Sequence, residues 1–118
     1  METVKPKHDL EERTLNFAKR VVTFVGTVPQ SLANVEIIKQ LVRSSGSIGA
    51  NYIEANEAIS KKDFTLRVKI CRKEAKETRY WLQLIEAKGD EQVKQRELLF
   101  KEATEITKIF GAIVDKTT

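Results

Sequence analysis

The chain has 118 residues, 41% hydrophobic and 32% charged, with a formal net charge of +4. That length suits one domain with a core of its own, and 5 Gly and 2 Pro beside many Ala, Glu, Lys, Leu and Ile point to helices. One Cys and one His exclude an internal disulfide scaffold and any chemistry built on several His or Cys ligands.

The chain opens METVKPKHDLEER. No apolar run follows its basic residues, so no signal peptide is expected, and no window approaches the ~20 apolar residues of a membrane span. The free Cys71 fits a reducing compartment, so a cytoplasmic protein is the expectation. Residues Met1–His8 are expected to fray, as are Lys116–Thr118 at the other end.

The first helix is predicted over about 9–25. Asp9 with Glu12 resembles a capping box, and Leu10, Phe17, Val21, Phe24 and Val28 recur at helical spacing. Gly26, Pro29 and Ser31 punctuate the connection that follows. The second helix is predicted over about 34–59 with the stripe Val35, Ile38, Leu41, Ser45, Ile48, Tyr52 and Ala55. Its middle, RSSGSIGAN, looks like a loop by composition, yet the stripe keeps its phase across it. The alternative is a break at Gly46. Within a continuous helix, Ser45 with Gly49 and Gly46 with Ala50 would let a neighbouring backbone approach closely.

The third helix is predicted over about 61–87, opened by Ser60 with Asp63 as a second capping box and stopped by Gly89. The fourth is predicted over about 90–116 with the stripe Leu99, Ala103, Ile106, Phe110 and Ile113. Short connections make sequential helices antiparallel neighbours, so the expected fold is an all-α, up-down four-helix bundle in a single domain.

At 100° per residue the third helix presents three faces. Phe64, Val68, Cys71, Ala75, Thr78, Leu82 and Ile85 alternate at spacings of four and three, as a bundle seam does. Cys71 is thereby read as a small, inert, buried hydrophobe. Leu66, Ile70, Glu77, Trp81 and Leu84 form a second apolar stripe, read as a subunit interface with Trp81 as its anchor. A single wide stripe wrapped around a large core is the alternative. Within that stripe, Glu77 would need a cationic or hydrogen-bonding partner, which Arg43 or Arg79 of a neighbour could supply.

The third face is basic. Lys61, Lys62, Lys69, Arg72, Lys73, Lys76 and Arg79 share one arc that holds no Asp or Glu. Residues 61–88 carry nine Lys and Arg against four Asp and Glu, leaving twelve against thirteen elsewhere. From Lys62 to Arg79 the arc is about 26 Å long, a plausible footprint for a phosphate backbone. The alternative is a solvated face that keeps the protein soluble.

Catalytic patterns are missing. His8, the only His, precedes the first helix, and the Walker A and G-x-G-x-x-G signatures are absent. Glu54 and Glu57 are three apart, but Glu54 points away from the core stripe and is read as solvated or at an interface; Asn56 falls on the core side. No catalytic residue, metal site or cofactor is expected.

The run Ser44-Ser45-Gly46-Ser47-Ile48-Gly49-Ala50-Asn51-Tyr52-Ile53-Glu54-Ala55, with Asp63-Phe64 and Glu77-Thr78-Arg79-Tyr80-Trp81-Leu82, resembles the four-helix bundle proteins of the 23S ribosomal RNA intervening-sequence type. The resemblance covers about residues 10–115. Gly46, Gly49, Ala50 and Asn51 match that family's Gly-Ser-x-Gly-Ala-Asn element, and Glu54 and Glu77 its acidic positions. Ala55-Asn56 stands where the family commonly has a Gly and a small residue, and Glu74-Ala75-Lys76 where it commonly has a Ser. The resemblance implies an antiparallel bundle assembled as a homopentamer, with no enzymatic activity. A related branch, the accessory variability protein of diversity-generating retroelements, binds a reverse transcriptase and nucleic acid. The expected function is therefore binding of structured nucleic acid, RNA above DNA, by Lys62, Lys69, Arg72, Lys73, Lys76 and Arg79. The alternative is an adaptor that docks an acidic protein such as a reverse transcriptase.

Overall fold

In the computed structural model residues 6–118 are described, with side chains from Leu10 onward. Helix α1 spans Pro6–Val25 and α2 spans Leu32–Asn56; α3 spans Lys61–Leu84 and α4 spans Gly89–Thr117. No strand occurs among the described residues. α1 begins three residues before the expected start, and Pro6 suits a first turn because its missing N–H would have had no partner there. The expected Asp9 cap and the role of His8 lie outside the described side chains. The far end also differs from expectation: α4 continues to Thr117, and the Thr118 N–H bonds the Val114 carbonyl.

α2 is one unbroken helix through RSSGSIGAN, as the phase of its stripe predicts. Leu41, Ser44, Ser45, Ile48, Tyr52 and Ala55 are buried, and burial of this face offsets the low helix propensity of Gly and Ser. Ser31 caps α2 by accepting from the Asn34 N–H at 3.2 Å, and Ser60 caps α3 by accepting from Asp63 N–H at 3.0 Å. α2 stops at Asn56 rather than Ile59. Its last bonds, Glu57 N–H to Glu54 O and Ala58 N–H to Ala55 O, span only three residues, which tightens and ends the turn.

α3 stops at Leu84 rather than Ala87, and the reason is a long-range contact. Asn34, fully buried, accepts from the Glu86 N–H at 2.8 Å and donates to the Glu86 carbonyl at 3.1 Å. Those two bonds pull residue 86 off the helical path, and Ile85 turns extended with ψ 138°. Gly89 therefore does not stop α3. It opens α4, with φ +81°, a conformation that side chains other than glycine's rarely adopt.

Each helix packs on the next, and α4 closes the ring on α1. The α2–α3 face is the most extensive and the α1–α4 face the least. The contacts run antiparallel throughout. Glu11 meets Asn56 and Thr14 meets Gly49; Arg43 meets Glu77 and Asn34 meets Glu86; Arg13 meets Glu102 and Thr27 meets Gln92. Phe17, Leu41, Ile48, Leu82, Leu99, Ile106 and Phe110 fill the core. At its far end Val114 is the buried residue of the α4 stripe, and Ile113 is half-buried against the core.

Candidate nucleic-acid interface

The seam of α3 is buried from Val68 onward, at Val68, Cys71, Ala75, Thr78, Leu82 and the capping Ile85, while Phe64 at its start is half-buried and packs against the core. Thr78 Oγ1 lies 2.9 Å from Ser44 Oγ and 2.8 Å from the Glu74 carbonyl oxygen, so a small polar pair is satisfied inside the α2–α3 contact. Burying this seam turns the opposite side of α3 to solvent.

That open side carries Lys61, Lys62, Lys69, Lys73 and Lys76, all exposed. The two arginines of the arc behave differently. Arg79 lies with its guanidinium 5.0 Å from the centre of the Phe100 ring on α4, and its Nε is buried without a hydrogen-bond partner. Arg72 is half-buried against α4, its Cδ 3.8 Å from where a Cβ on Gly111 would stand. The expected basic face therefore divides into an open lysine row and two arginines that lean onto the neighbouring helix. Lys73 Nζ stands 3.7 Å from Glu74 Oε2, a long contact at a half-solvated site, and leaves the row's charge available.

The second stripe also divides. Leu66 and Leu84 are 55% and 50% exposed, whereas Ile70 and Trp81 are half-buried and Trp81 packs against the core. The indole Nε1 is buried without a partner. Glu77 finds its cation within the chain: Arg43 Nη2 donates to Glu77 Oε1 at 3.0 Å, where a neighbouring subunit's arginine was expected. The same guanidinium stands 3.5 Å from Glu74, whose carboxylate is only 9% exposed. Position alone did not single out Glu74. The usable signal was its place beside Ala75 and one turn before Thr78, at the margin of the seam.

Glu54 and Glu57 are exposed, as expected for solvated carboxylates. Asn56 donates to Glu11 Oε2 at 2.7 Å and ties α2 to α1. Among the described residues no group of three His, Cys, Asp or Glu is placed to hold a metal ion. None of the described helices is long and apolar enough to cross a membrane. A cleft of about 770 Å³ lies between the end of α1 and the start of α4. Its rim mixes Lys19 and Arg20 with Asp90 and Glu91, so it favours neither sign of ligand. The groove on the lysine row is smaller, about 360 Å³, but Lys69, Arg72, Lys73 and Lys76 all line it.

These features define a four-helix bundle whose third helix carries an open cationic row. The chain belongs to the family of 23S rRNA-intervening sequence proteins, which it matches over residues 7–112. It is also similar to a protein of unknown function from the S23 ribosomal protein family of Bacteroides thetaiotaomicron VPI-5482, known as a crystal structure. The two share 35% sequence identity and superpose with a TM-score of 0.76, over 92% of this chain and 97% of that one. No curated protein matches the chain.

Proposed function

We propose that this protein is a non-enzymatic, homo-oligomeric bundle of the cytoplasm that binds nucleic acid, RNA above DNA, through the lysine row of α3. The observation that carries the reading is the exposure of Lys62, Lys69, Lys73 and Lys76 on one side of a single unbroken helix. Cations set at helical spacing along a rod attract a phosphate backbone, and binding of that kind releases counterions. Arg72 and Arg79 would add contacts at the α4 edge by swinging from their present positions. Assembly is supported by the half-exposed Leu66 and Leu84, which share a stripe of α3 with Trp81. The pentamer implied by the family resemblance is the state we expect.

A gel-shift series across salt tests the binding. The parent should shift structured RNA at low salt and lose it steeply as salt rises. A combined Lys69→Glu, Arg72→Glu, Lys76→Glu variant should lose the shift while keeping its helical circular dichroism and its mass. Absence of any shift at low salt would remove the reading and leave an acidic protein, such as a reverse transcriptase, as the row's partner, to be sought by co-purification and mass spectrometry. Light scattering tests assembly: Trp81→Ala should lower the mass. If that variant instead unfolds without first changing mass, Trp81 belongs to the core alone.

A further inference from the structure

We infer that the groove on the basic face of α3 holds unpaired nucleotides of a single strand, with one base stacked on Tyr80 and adjoining phosphates on Lys69, Lys73 and Lys76. The inference rests on the nucleic-acid reading above and adds that the part of the ligand lying in this groove is unpaired, as in a loop or bulge of a structured RNA.

Lys69, Lys73, Lys76 and Tyr80 succeed one another at spacings of four, three and four. On a 3.6-residue helix that places them in one line, about 16 Å long. All four line the same groove, with Arg72 and Glu77 at its sides. Glu77 is the only acid there, and its carboxylate accepts from Arg43, which offsets its repulsion of a phosphate.

Tyr80 is 57% exposed, an aromatic ring left open at the end of a lysine row. It is also held in place. Its ring meets that of Trp81 edge-on, with centres 5.0 Å apart and planes at 78°, and Trp81 is packed against the core. A braced, open ring beside a file of cations is the combination that binds single strands: bases stack on the ring, and the backbone follows the charges. A duplex keeps its bases stacked on one another and offers this face only phosphates. Such a ligand would use the lysines and leave Tyr80 idle. The contact supplies its own reporter, because Trp81 is the chain's one tryptophan and adjoins the stacking ring.

The test uses the whole protein, with labelled oligouridylate, oligothymidylate and an RNA duplex of equal length, followed by fluorescence anisotropy at low salt. Tyr80→Ala should weaken both single strands by about tenfold and leave the duplex unchanged; Tyr80→Phe should bind as the parent does. Tyr80→Leu, which keeps apolar bulk against Trp81, should behave as Tyr80→Ala and serves if that variant folds poorly. Trp81 emission should change on adding oligouridylate to the parent and not to Tyr80→Leu. Unaltered single-strand binding by Tyr80→Ala and Tyr80→Leu would overturn the stacking inference alone, with the lysine-row reading intact. So would equal losses on single strands and duplex. A parent that binds none of the three ligands would end both readings.

Discussion

A Cβ placed on Gly49 would stand 2.9 Å from Thr14 Oγ1 and 3.3 Å from Thr14 Cβ, so α1 and α2 touch here with no room for a side chain. Thr14 cannot easily withdraw: it is buried, and its hydroxyl donates to the Leu10 carbonyl at 2.7 Å. Three residues earlier, Gly46 has nothing within 4 Å of the same hypothetical atom.

The two glycines should therefore respond in opposite directions. Gly46→Ala removes backbone freedom at an open helix position and should stabilise by about 1 kcal/mol. Gly49→Ala meets Thr14 and should lower the melting temperature despite the same propensity gain; Gly49→Val should lower it further. Thermal unfolding followed by far-ultraviolet circular dichroism measures both. A stabilised Gly49→Ala would show that α1 can give way at Thr14.

Asn34 joins both inter-helix connections at one end of the bundle. Its amide donates to Pro29 O at 2.7 Å as well as bonding both backbone groups of Glu86. Asn34→Ala leaves these groups without partners and should cost about 2–3 kcal/mol. Urea denaturation should show a lower midpoint, and hydrogen exchange should quicken at residues 85–88. An unchanged midpoint would mean that water replaces the amide at no cost.

Arg43 serves two carboxylates of unequal burial. Arg43→Ala should destabilise by about 1–2 kcal/mol, chiefly through the nearly buried Glu74 that is left behind. Glu77→Ala should cost less than about 0.5 kcal/mol, since that pair is largely solvated. If the two variants prove equally destabilised, the weight lies on the Glu77 contact instead.

Cys71 is fully buried, and burial pushes its thiol up to about 12; burial likewise raises the Tyr52 phenol. The folded state thus holds the Cys71 proton more tightly than the unfolded chain does. The stability this contributes is complete below about pH 9 and is lost as pH rises towards 12, at about 1.4 kcal/mol per pH unit. Cys71→Ala should flatten part of that alkaline decline in urea titrations. In the native protein at neutral pH, a thiol reagent should react no faster than the protein opens.

The helices and their buried seams were legible from residue order, because a 3.6-residue period in apolar side chains is a property of one segment and survives whatever that segment packs against. The continuity of α2 through its serines and glycines, the Ser60 cap and the lysine row were legible for that reason. The C-terminal ends of α2 and α3 and the charge partners were not. α3 stops where Asn34, fifty-two positions away in the chain, captures Glu86. Arg79 leaves the basic arc because Phe100 stands beside it, and Glu77 meets Arg43 of its own chain. Asn34 did leave a trace in the sequence, lying seven residues before Leu41 in phase with the buried stripe. A helical wheel orders the side chains around one axis; only the packing of the other three axes decides which are covered, which are paired, and which remain open to a ligand.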